Sequence, residues 1–285
     1  NSENGHSETI LSGLAHDSRH IVVAANRNNK AVDARIENVV IENGNGFGSG
    51  DLDGISQNYG GGVYVDNAVN KKKNVVVRNN KANERGGGIY LEGDDAKVYL
   101  SNSLVYNNTS VGDGSALYSN NDAKTNIINS TIVNNTSEAN ANGGALHVKD
   151  NGKFNVYNSI IWNNLRKNVQ SSLSGGSSDD FKVSNTILNM GSTAHTNSSI
   201  NYSTADPMFV DLQNEDFRLS KNSPALNRGN NNDYVDYSVG VNNLSIDTDI
   251  YGNKRLFGSA IDLGAYEYSE TLGLDDVQVK STRIY

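Results

Sequence analysis

Short apolar runs separated by polar residues recur along the whole chain. Each run covers only three to five positions, alternates apolar with polar residues and is rich in Val, Ile and Leu. This alternation and the abundance of β-branched residues predict short β-strands. No stretch keeps the apolar spacing of an amphipathic helix over three turns, so the pattern indicates an all-β protein.

The runs belong to a repeat. Each copy begins with a glycine-led strand and ends with a second strand followed by two asparagines. The glycine-led segments are "GGGVYV" (60–65), "GGGIYL" (86–91), "GSALYS" (114–119) and "GGALHV" (143–148). The asparagine pairs fall at 79–80, 107–108, 134–135 and 163–164, at intervals of 28, 27 and 29 residues. Degenerate copies start at Ala34 and Val183. A period of this length is typical of solenoid proteins.

The fold expected from this repeat is a right-handed parallel β-helix, in which every strand pairs with its equivalent on the turns above and below. A leucine-rich repeat of similar length would need a recurring leucine consensus, which is missing. We expect the β-helix over 1–204 and a capping segment over 205–268 that closes its C-terminal end. An open end would expose unpaired strand edges. Residues 269–285 are expected to form a linker.

The asparagines at the strand ends are predicted to stack inside the solenoid. With a period of two, Val105 and Asn107 point to the same side of their strand. If Val105 faces the core, equivalent asparagines form an amide ladder along the axis, since stacked side chains lie about 4.8 Å apart. The predicted ladder contains Asn79, Asn107, Asn134, Asn163 and Asn189.

The amino-acid composition limits the chemistry and the classes of binding partner expected of this chain. The chain has 45 Asn and 28 Gly but only 2 Pro, which indicates very frequent turns. It has no cysteine, so disulfides and thiolate chemistry are excluded. The net charge of -8 disfavours nucleic acid and anionic membranes as partners. No apolar run is long enough to span a bilayer, so no membrane insertion is expected, and we expect a monomer.

Two outward columns carry the candidate chemistry. The first contains Tyr64, Tyr90, Tyr118 and His147, whose stacked rings offer apolar faces for sugar rings. The second lies two positions further along and contains Asp66, Glu92, Asn120 and Lys149. The candidate binding set is Tyr64, Tyr90, Tyr118, His147 and Glu92. Alternatively, the tyrosines pack under neighbouring side chains or loops.

Catalysis would use part of the same face. A lyase for uronate polymers needs a base next to a positive centre that neutralises the substrate carboxylate. His147, Lys149 and Tyr118 can be drawn as such a set. The alternative is a solvated face whose charges form weak pairs between turns. No cofactor is expected, although Asp51 and Asp53 in a glycine-rich insert are candidate ligands for Ca²⁺.

Two families resemble this chain. The "GGAL" segments and the following "NN" strands resemble the repeats of polymorphic outer membrane proteins. The tail, "ADPMFVDLQNEDFRLSKNSPALNRGNN" followed by "DIYGNKRLFGSAIDLGAYEY", is similar to the closing segment of secreted β-helix proteins of the Bacteroidetes type. This resemblance implies the fold and secretion, with a tail that leads to a sorting domain read by type IX secretion. It does not imply a reaction.

The functional expectation is therefore a secreted or bacterial cell-surface protein. We expect an adhesin-like or carbohydrate-binding role without catalysis, with a polysaccharide or glycoconjugate as the partner. The alternative is a polysaccharide lyase or glycoside hydrolase that acts in an outward groove of the β-helix.

Overall fold

In the computed structural model each repeat forms one turn of a parallel β-solenoid. The structure describes residues 9–13, 20–26, 32–48, 51–52, 55–138, 143–189, 200–233 and 247–269. A full turn contains four short strands, named a to d in chain order, and equivalent strands of successive turns pair in parallel. The stacked strands form columns a to d. The prediction of a parallel β-helix is confirmed.

The strands of each column are as follows. Column a contains Val22–Ala25, Val63–Asp66, Ile89–Glu92, Leu117–Asn120, Leu146–Val148 and Leu173–Gly175. Column b contains Asp33–Glu37, Val69–Lys73, Lys97–Ser101, Lys124–Ile128, Lys153–Tyr157 and the first half of Phe181–Leu188. Column c contains Thr9–Ser12, Val39–Glu42, Val76–Arg78, Leu104–Tyr106, Thr131–Val133, Ile160–Trp162 and the second half of Phe181–Leu188. Column d contains Asn45–Gly46, Lys81–Ala82, Thr109–Ser110, Thr136–Ser137 and Leu165–Arg166, with Val169–Gln170 antiparallel to the last.

A few elements lie outside these columns. Ile200–Ser203 pairs with Phe181–Leu188, and a single turn of 3₁₀ helix covers Ser178–Asp180. Two antiparallel hairpins pair Asp51–Leu52 with Ile55–Ser56 and Phe209–Asp211 with Asp216–Leu219.

Every second residue of columns a, b and c points inward, and most of these residues are apolar. Stacked Val, Ile and Leu side chains from all turns form one continuous buried cluster. Glycines at the start of column a bring adjacent turns together. A Cβ on Gly87 would lie 2.4 Å from the carbonyl oxygen of Thr109, so no larger residue fits between these turns.

Asparagines explain how the chain turns so sharply. Two columns of them occupy the left-handed region, which Asn tolerates better than most residues. The corner after column b has φ between 45° and 54° at Asn38, Asn74, Asn102, Asn129, Asn158 and Asn185. The corner after column c has φ between 51° and 59° at Asn43, Asn79, Asn107, Asn134 and Asn163. Asparagine is thus the corner residue of this solenoid.

An amide ladder exists, but one residue further along than the predicted one. Its members are Asn80, Asn108, Asn135 and Asn164, all at most 1% exposed. The Nδ2 of each of the first three donates to the next Oδ1 at 2.9 Å, and the Nδ2 of Asn164 donates to the Ile132 carbonyl. Each Oδ1 also accepts a backbone N–H of the preceding turn. The predicted members Asn79, Asn107, Asn134 and Asn163 are corner residues instead. Their left-handed φ interrupts the alternation, so the following residue is the one that points inward.

Asn189, the fifth predicted ladder member, is half-buried and accepts a hydrogen bond from Ser172 at 3.4 Å. A second polar ladder that the repeat analysis missed lies at the corner between columns b and c. There the hydroxyls of Ser103, Ser130 and Ser159 each accept a backbone N–H from the preceding turn.

The described residues of the closing segment, 205–233 and 247–268, lie along the flank of the solenoid and cover column c. Its Phe217 and Tyr266 pack on Tyr106, and Leu219 and Leu263 pack on Ile160. The sequence analysis places this segment on the C-terminal end, whereas the described residues contact several turns side by side. The apolar outward residues of column c account for this placement because they need cover along their whole length. The predicted linker 269–285 lies outside the described residues except for Ser269.

Candidate functional site

The tyrosine column forms in the predicted register. Tyr64, Tyr90, Tyr118 and His147 occupy equivalent positions of column a, and their ring centroids lie 5.2, 5.4 and 4.8 Å apart in that order. The three tyrosines are 1% exposed and His147 is 4% exposed. This column therefore presents no open ring face to a sugar.

The chain itself covers the tyrosine column. Ile55 and Tyr59 pack on it, and the Tyr59 and Tyr90 ring centroids are 4.7 Å apart. The Arg85 guanidinium lies 5.3 Å from the ring centroids of both Tyr59 and Tyr118. The stacked rings are thus a second, lateral core. Tyr59 is in register with Arg85 of the next turn, whereas Ile55 belongs to an insert between columns d and a that the other turns lack, so the repeat pattern alone did not reveal the cover.

Glu92 lies where the tyrosine hydroxyls converge. Its carboxylate accepts hydrogen bonds from Tyr64 and, at 3.0 Å, from Tyr90. Asp66 and Asn120 flank it in register, and Asn120 donates to the Tyr90 hydroxyl at 3.4 Å. Burial raises the pKa of Tyr64, Tyr90 and Tyr118 above the ordinary value, so these hydroxyls stay protonated donors. In this structure Glu92 holds the hydroxyls of Tyr64 and Tyr90 in place.

The three candidate catalytic residues do not share an open groove. His147 contacts Ser174 through Nδ1 at 3.0 Å, and its Nε2 lies 3.8 Å from Asp113 Oδ2. Tyr118 stacks on the His147 ring at an angle of 15°. Lys149 lies at the surface, 4.0 Å from Asp150. His147 and Tyr118 are therefore packing residues, and only Lys149 faces solvent.

The structure does not describe the side chains of the candidate Ca²⁺ ligands, Asp51 and Asp53. Asp51 belongs to the strand Asp51–Leu52, but its side chain lies outside what the structure describes, as does all of Asp53. Elsewhere in the described ranges, no group of three or more His, Asp or Glu side chains could hold a metal ion. The Ca²⁺ hypothesis stays a prediction.

Column b differs from columns a and c in that part of its outward face is accessible to solvent, although Lys71, Ser101 and Ile128 are buried. Seven basic and two acidic side chains point outward from its strands. The basic ones are Arg35, Lys71, Lys73, Lys97, Lys124, Lys153 and Lys182, and the acidic ones are Asp33 and Glu37. Half-buried Tyr99, Asn126 and Asn155 form the row beside Lys97, Lys124 and Lys153. In these two rows Lys124 is exposed, and Lys97, Lys153, Asn126 and Asn155 are half-buried.

The sequence analysis missed this face, although a signal for it exists. Lys97, Lys124 and Lys153 recur at intervals of 27 and 29 residues, the same rhythm as the asparagine pairs. The basic triplet 71–73 looks like a solvated turn, yet it is part of a column b strand in which Lys72 points into the core.

Comparison with known proteins agrees with part of this description. Residues 74–92 match the model of the Chlamydia polymorphic membrane protein (Chlamydia_PMP) repeat. The matched residues run from the corner residue Asn74 through ladder residue Asn80 to Glu92 at the end of a column a strand. No curated protein and no solved structure matches the chain. The described part of the chain contains no helix long and apolar enough to cross a membrane.

Proposed function

We propose that this protein is a non-catalytic, adhesin-like β-helix displayed at the bacterial surface, which binds a polysaccharide or glycoconjugate along the outward face of column b. The observation that carries the proposal is the difference in cover between the columns. Column a lies under residues 55–59, and column c lies under the closing segment. Column b keeps Lys97, Lys124, Lys153, Asn126 and Asn155 partly or fully accessible to solvent.

The chemistry of this face suits a carbohydrate. Amide side chains such as Asn126 and Asn155 donate to and accept from sugar hydroxyls, and their own mutual hydrogen bond of 2.9 Å fixes their orientation. The half-buried rings of Tyr99 and Tyr157 offer apolar surface to the C–H faces of sugars. A rigid sheet holds these groups in place before binding, which lowers the entropic cost of association.

The surface location is supported by the matched repeat, which is that of a polymorphic membrane protein. Secretion, with type IX secretion as the route, belongs to the same proposal and draws on the closing segment of the sequence.

The lyase alternative has less support from the geometry. Uronate lyases need a base and a positive centre that both reach the substrate. His147 and Tyr118 are buried in the lateral core on column a, where Arg85 lies over the Tyr118 ring.

A glycan array probed with the purified protein tests the proposed function. We expect binding to polysaccharides and weaker binding by Asn126→Ala/Asn155→Ala. The matched control is Asn231→Ala/Asn232→Ala on the closing segment, which should bind as the wild type does. The same samples are monitored for the ultraviolet absorbance of unsaturated uronates. Product formation that disappears in His147→Ala would contradict the proposal in favour of the lyase, and absence of binding to any glycan would refute it.

A further inference from the structure

Three lysines stack on the outward face of column b. Lys97, Lys124 and Lys153 begin equivalent strands of column b and are direct register partners. Neighbouring strands of a sheet lie about 4.8 Å apart, so each turn presents one ammonium group roughly every 4.8 Å along the axis. Lys182 continues the basic character one turn further, in the neighbouring row beside Asn155.

Such a row is unfavourable for the free protein. Like charges directly opposite each other on adjacent strands destabilise a sheet, whereas opposite charges stabilise it weakly. Elsewhere the chain pairs its charges between turns. Arg78 Nε lies 2.8 Å from Glu42, and Lys71 Nζ lies 2.6 Å from Asp33.

The lysine row lacks this pairing over most of its length. Lys153 Nζ contacts Asp180 at 2.5 Å. Lys97 and Lys124 have no carboxylate within ion-pair distance in the portion of the chain that the structure describes. A solvated face that served only solubility would not need like charges at the same position of consecutive turns.

We propose that the lysine row Lys97, Lys124 and Lys153 is a binding site for a linear anionic glycan, which lies along the solenoid axis and carries a carboxylate or sulfate on successive sugar units. This inference rests on the proposed function and names the class of its ligand. The spacing of the row is comparable with the length of one sugar unit in an extended polysaccharide. Each ammonium therefore meets one acidic group, while the adjacent row of Tyr99, Asn126 and Asn155 meets the sugar ring and its hydroxyls.

Neighbouring charges restrict where the glycan lies. Asp94, Asp95 and Asp122 occupy the corner that precedes the lysine row, and all three are exposed. They repel an anionic chain from that edge and favour its placement toward the Tyr99 row. Lys182, whose ammonium lies 5.6 Å from the Tyr157 ring centroid, extends the basic surface on that side.

The same charges disfavour nucleic acid. Duplex DNA carries one negative charge for about every 1.7 Å of its axis, and proteins bind it through broad basic surfaces. Here the net charge is -8, and the lysine row is bordered by aspartates. A polymer with one charge per sugar unit matches the observed single row of lysines better.

Binding measurements with four polymers test the inference. Polygalacturonate and dextran sulfate supply carboxylate and sulfate, unmodified dextran is the neutral polymer, and a single-stranded DNA oligonucleotide represents nucleic acid. Titration calorimetry is carried out on the wild type, on Lys97→Gln/Lys124→Gln and on the control Lys221→Gln/Lys254→Gln, whose lysines are exposed on the closing segment. Circular dichroism and thermal melting confirm that the variants are folded.

We expect at least one anionic glycan to bind more tightly than dextran and to weaken as salt is added. Lys97→Gln/Lys124→Gln should lower that affinity about tenfold, and the control should change it less than about twofold. The arm that binds, carboxylate or sulfate, identifies the acidic group. The melting temperature of Lys97→Gln/Lys124→Gln should equal or exceed that of the wild type because a repulsion is removed.

The other outcomes separate the inference from the proposed function. Binding of dextran that is unaffected by either lysine variant would overturn the anionic ligand and leave a glycan-binding protein. Binding of the oligonucleotide in preference to both anionic glycans would overturn the glycan class. Equal losses in the two lysine variants would overturn the position of the site. No binding to any glycan would refute both proposals.

Discussion

The solenoid and its closing segment bury polar groups in different ways. In the solenoid, one buried side-chain amide per turn forms hydrogen bonds with its equivalent on the next turn. Asn80, Asn108 and Asn135 each donate to the next asparagine and accept from the backbone of the previous turn. In the closing segment, the buried charged side chains do not belong to a repeat, and each occurs at a single position. Arg255 is 0% exposed. Three buried acidic residues, Asp249, Asp262 and Glu267, belong to the same part of the chain, "DIYGNKRLFGSAIDLGAYEY".

The closing segment depends on contacts that occur only once. Arg255 donates to the carbonyls of Asn129 and Gly264, and its Nη1 lies 3.6 Å from Glu267. Through Asn129, this one side chain links the closing segment to a solenoid corner. Burial raises the pKa of Glu267 to about 8, with nearby Asp262 adding to the effect. In the ladder, the hydrogen bonds that satisfy buried polar groups are distributed over several turns. In the closing segment, many of them depend on the single guanidinium of Arg255.

The strongest test of this contrast is Arg255→Met. The substitution leaves the Asn129 and Gly264 carbonyls and the buried carboxyls without the guanidinium. Removing one partner of a buried charge network typically costs about 3–5 kcal/mol. We expect a loss of that size in the free energy of unfolding measured with urea, together with detachment of the closing segment before the solenoid unfolds.

Arg218→Met is the control for Arg255→Met. Arg218 pairs with Asp216 in the same segment, but its side chain is 38% exposed. Its replacement should cost less than about 1 kcal/mol. Similar losses in both variants would show that burial of Arg255 does not set the stability of the closing segment.

The ladder is tested by comparing two adjacent asparagines. Asn80 donates to Ile41 and Asn108 and accepts from Gly44, all within the interior. Asn80→Ala leaves these buried groups without partners and should cost about 2–4 kcal/mol. Asn79→Ala at the exposed corner should cost only about 1 kcal/mol, because alanine tolerates the left-handed backbone less well than asparagine does.

Equilibrium urea unfolding of Asn80→Ala and Asn79→Ala gives the comparison directly. A larger loss for Asn79→Ala than for Asn80→Ala would mean that the corner conformation, and not the amide ladder, supplies most of the stability at this position.

Much of the fold could be predicted from the sequence because the repeat carries it. The interval between asparagine pairs predicts the stacked turns, and equal positions in each copy predict the column of Tyr64, Tyr90 and Tyr118. The ladder register was wrong by one residue because strand alternation does not continue through a left-handed corner such as Asn107. The cover over the tyrosines comes from Ile55, Tyr59 and Arg85, and Ile55 belongs to an insert that occurs once, which no periodic signal reveals.

Lys72 is an exception inside the solenoid itself. It is 0% exposed and occupies the inward position between Ile36 and Leu100 on the neighbouring turns. Its ammonium donates to Asn70, which is also buried. Burial lowers the pKa of Lys72 to about 7. Lys72 and Asn70 thus form a buried polar pair that is not repeated on the neighbouring turns. In this respect the pair resembles the buried charged residues of the closing segment.

The smallest expected effect concerns the buried pair Asn70 and Lys72. Replacing both residues should make the solenoid more stable, whereas replacing Arg255 should make the closing segment less stable. Asn70→Val/Lys72→Met restores the apolar types of the neighbouring turns, where Val98 and Leu100 occupy the equivalent positions. Replacing both members of a buried polar pair avoids leaving either without a partner, and we expect a gain of about 1–2 kcal/mol near pH 7.

The gain from Asn70→Val/Lys72→Met should depend on pH in a defined direction. Between the folded pKa of about 7 and the ordinary lysine value of 10.5, the unfolded chain binds a proton at Lys72 that the folded protein releases. The wild type therefore becomes more stable as pH rises through this interval, relative to a variant without Lys72. Urea unfolding from pH 7 to pH 10 should show the advantage of the variant shrinking, and below pH 7 the advantage should be constant. An advantage that stayed constant from pH 7 to pH 10 would mean that Lys72 keeps its proton in the folded core.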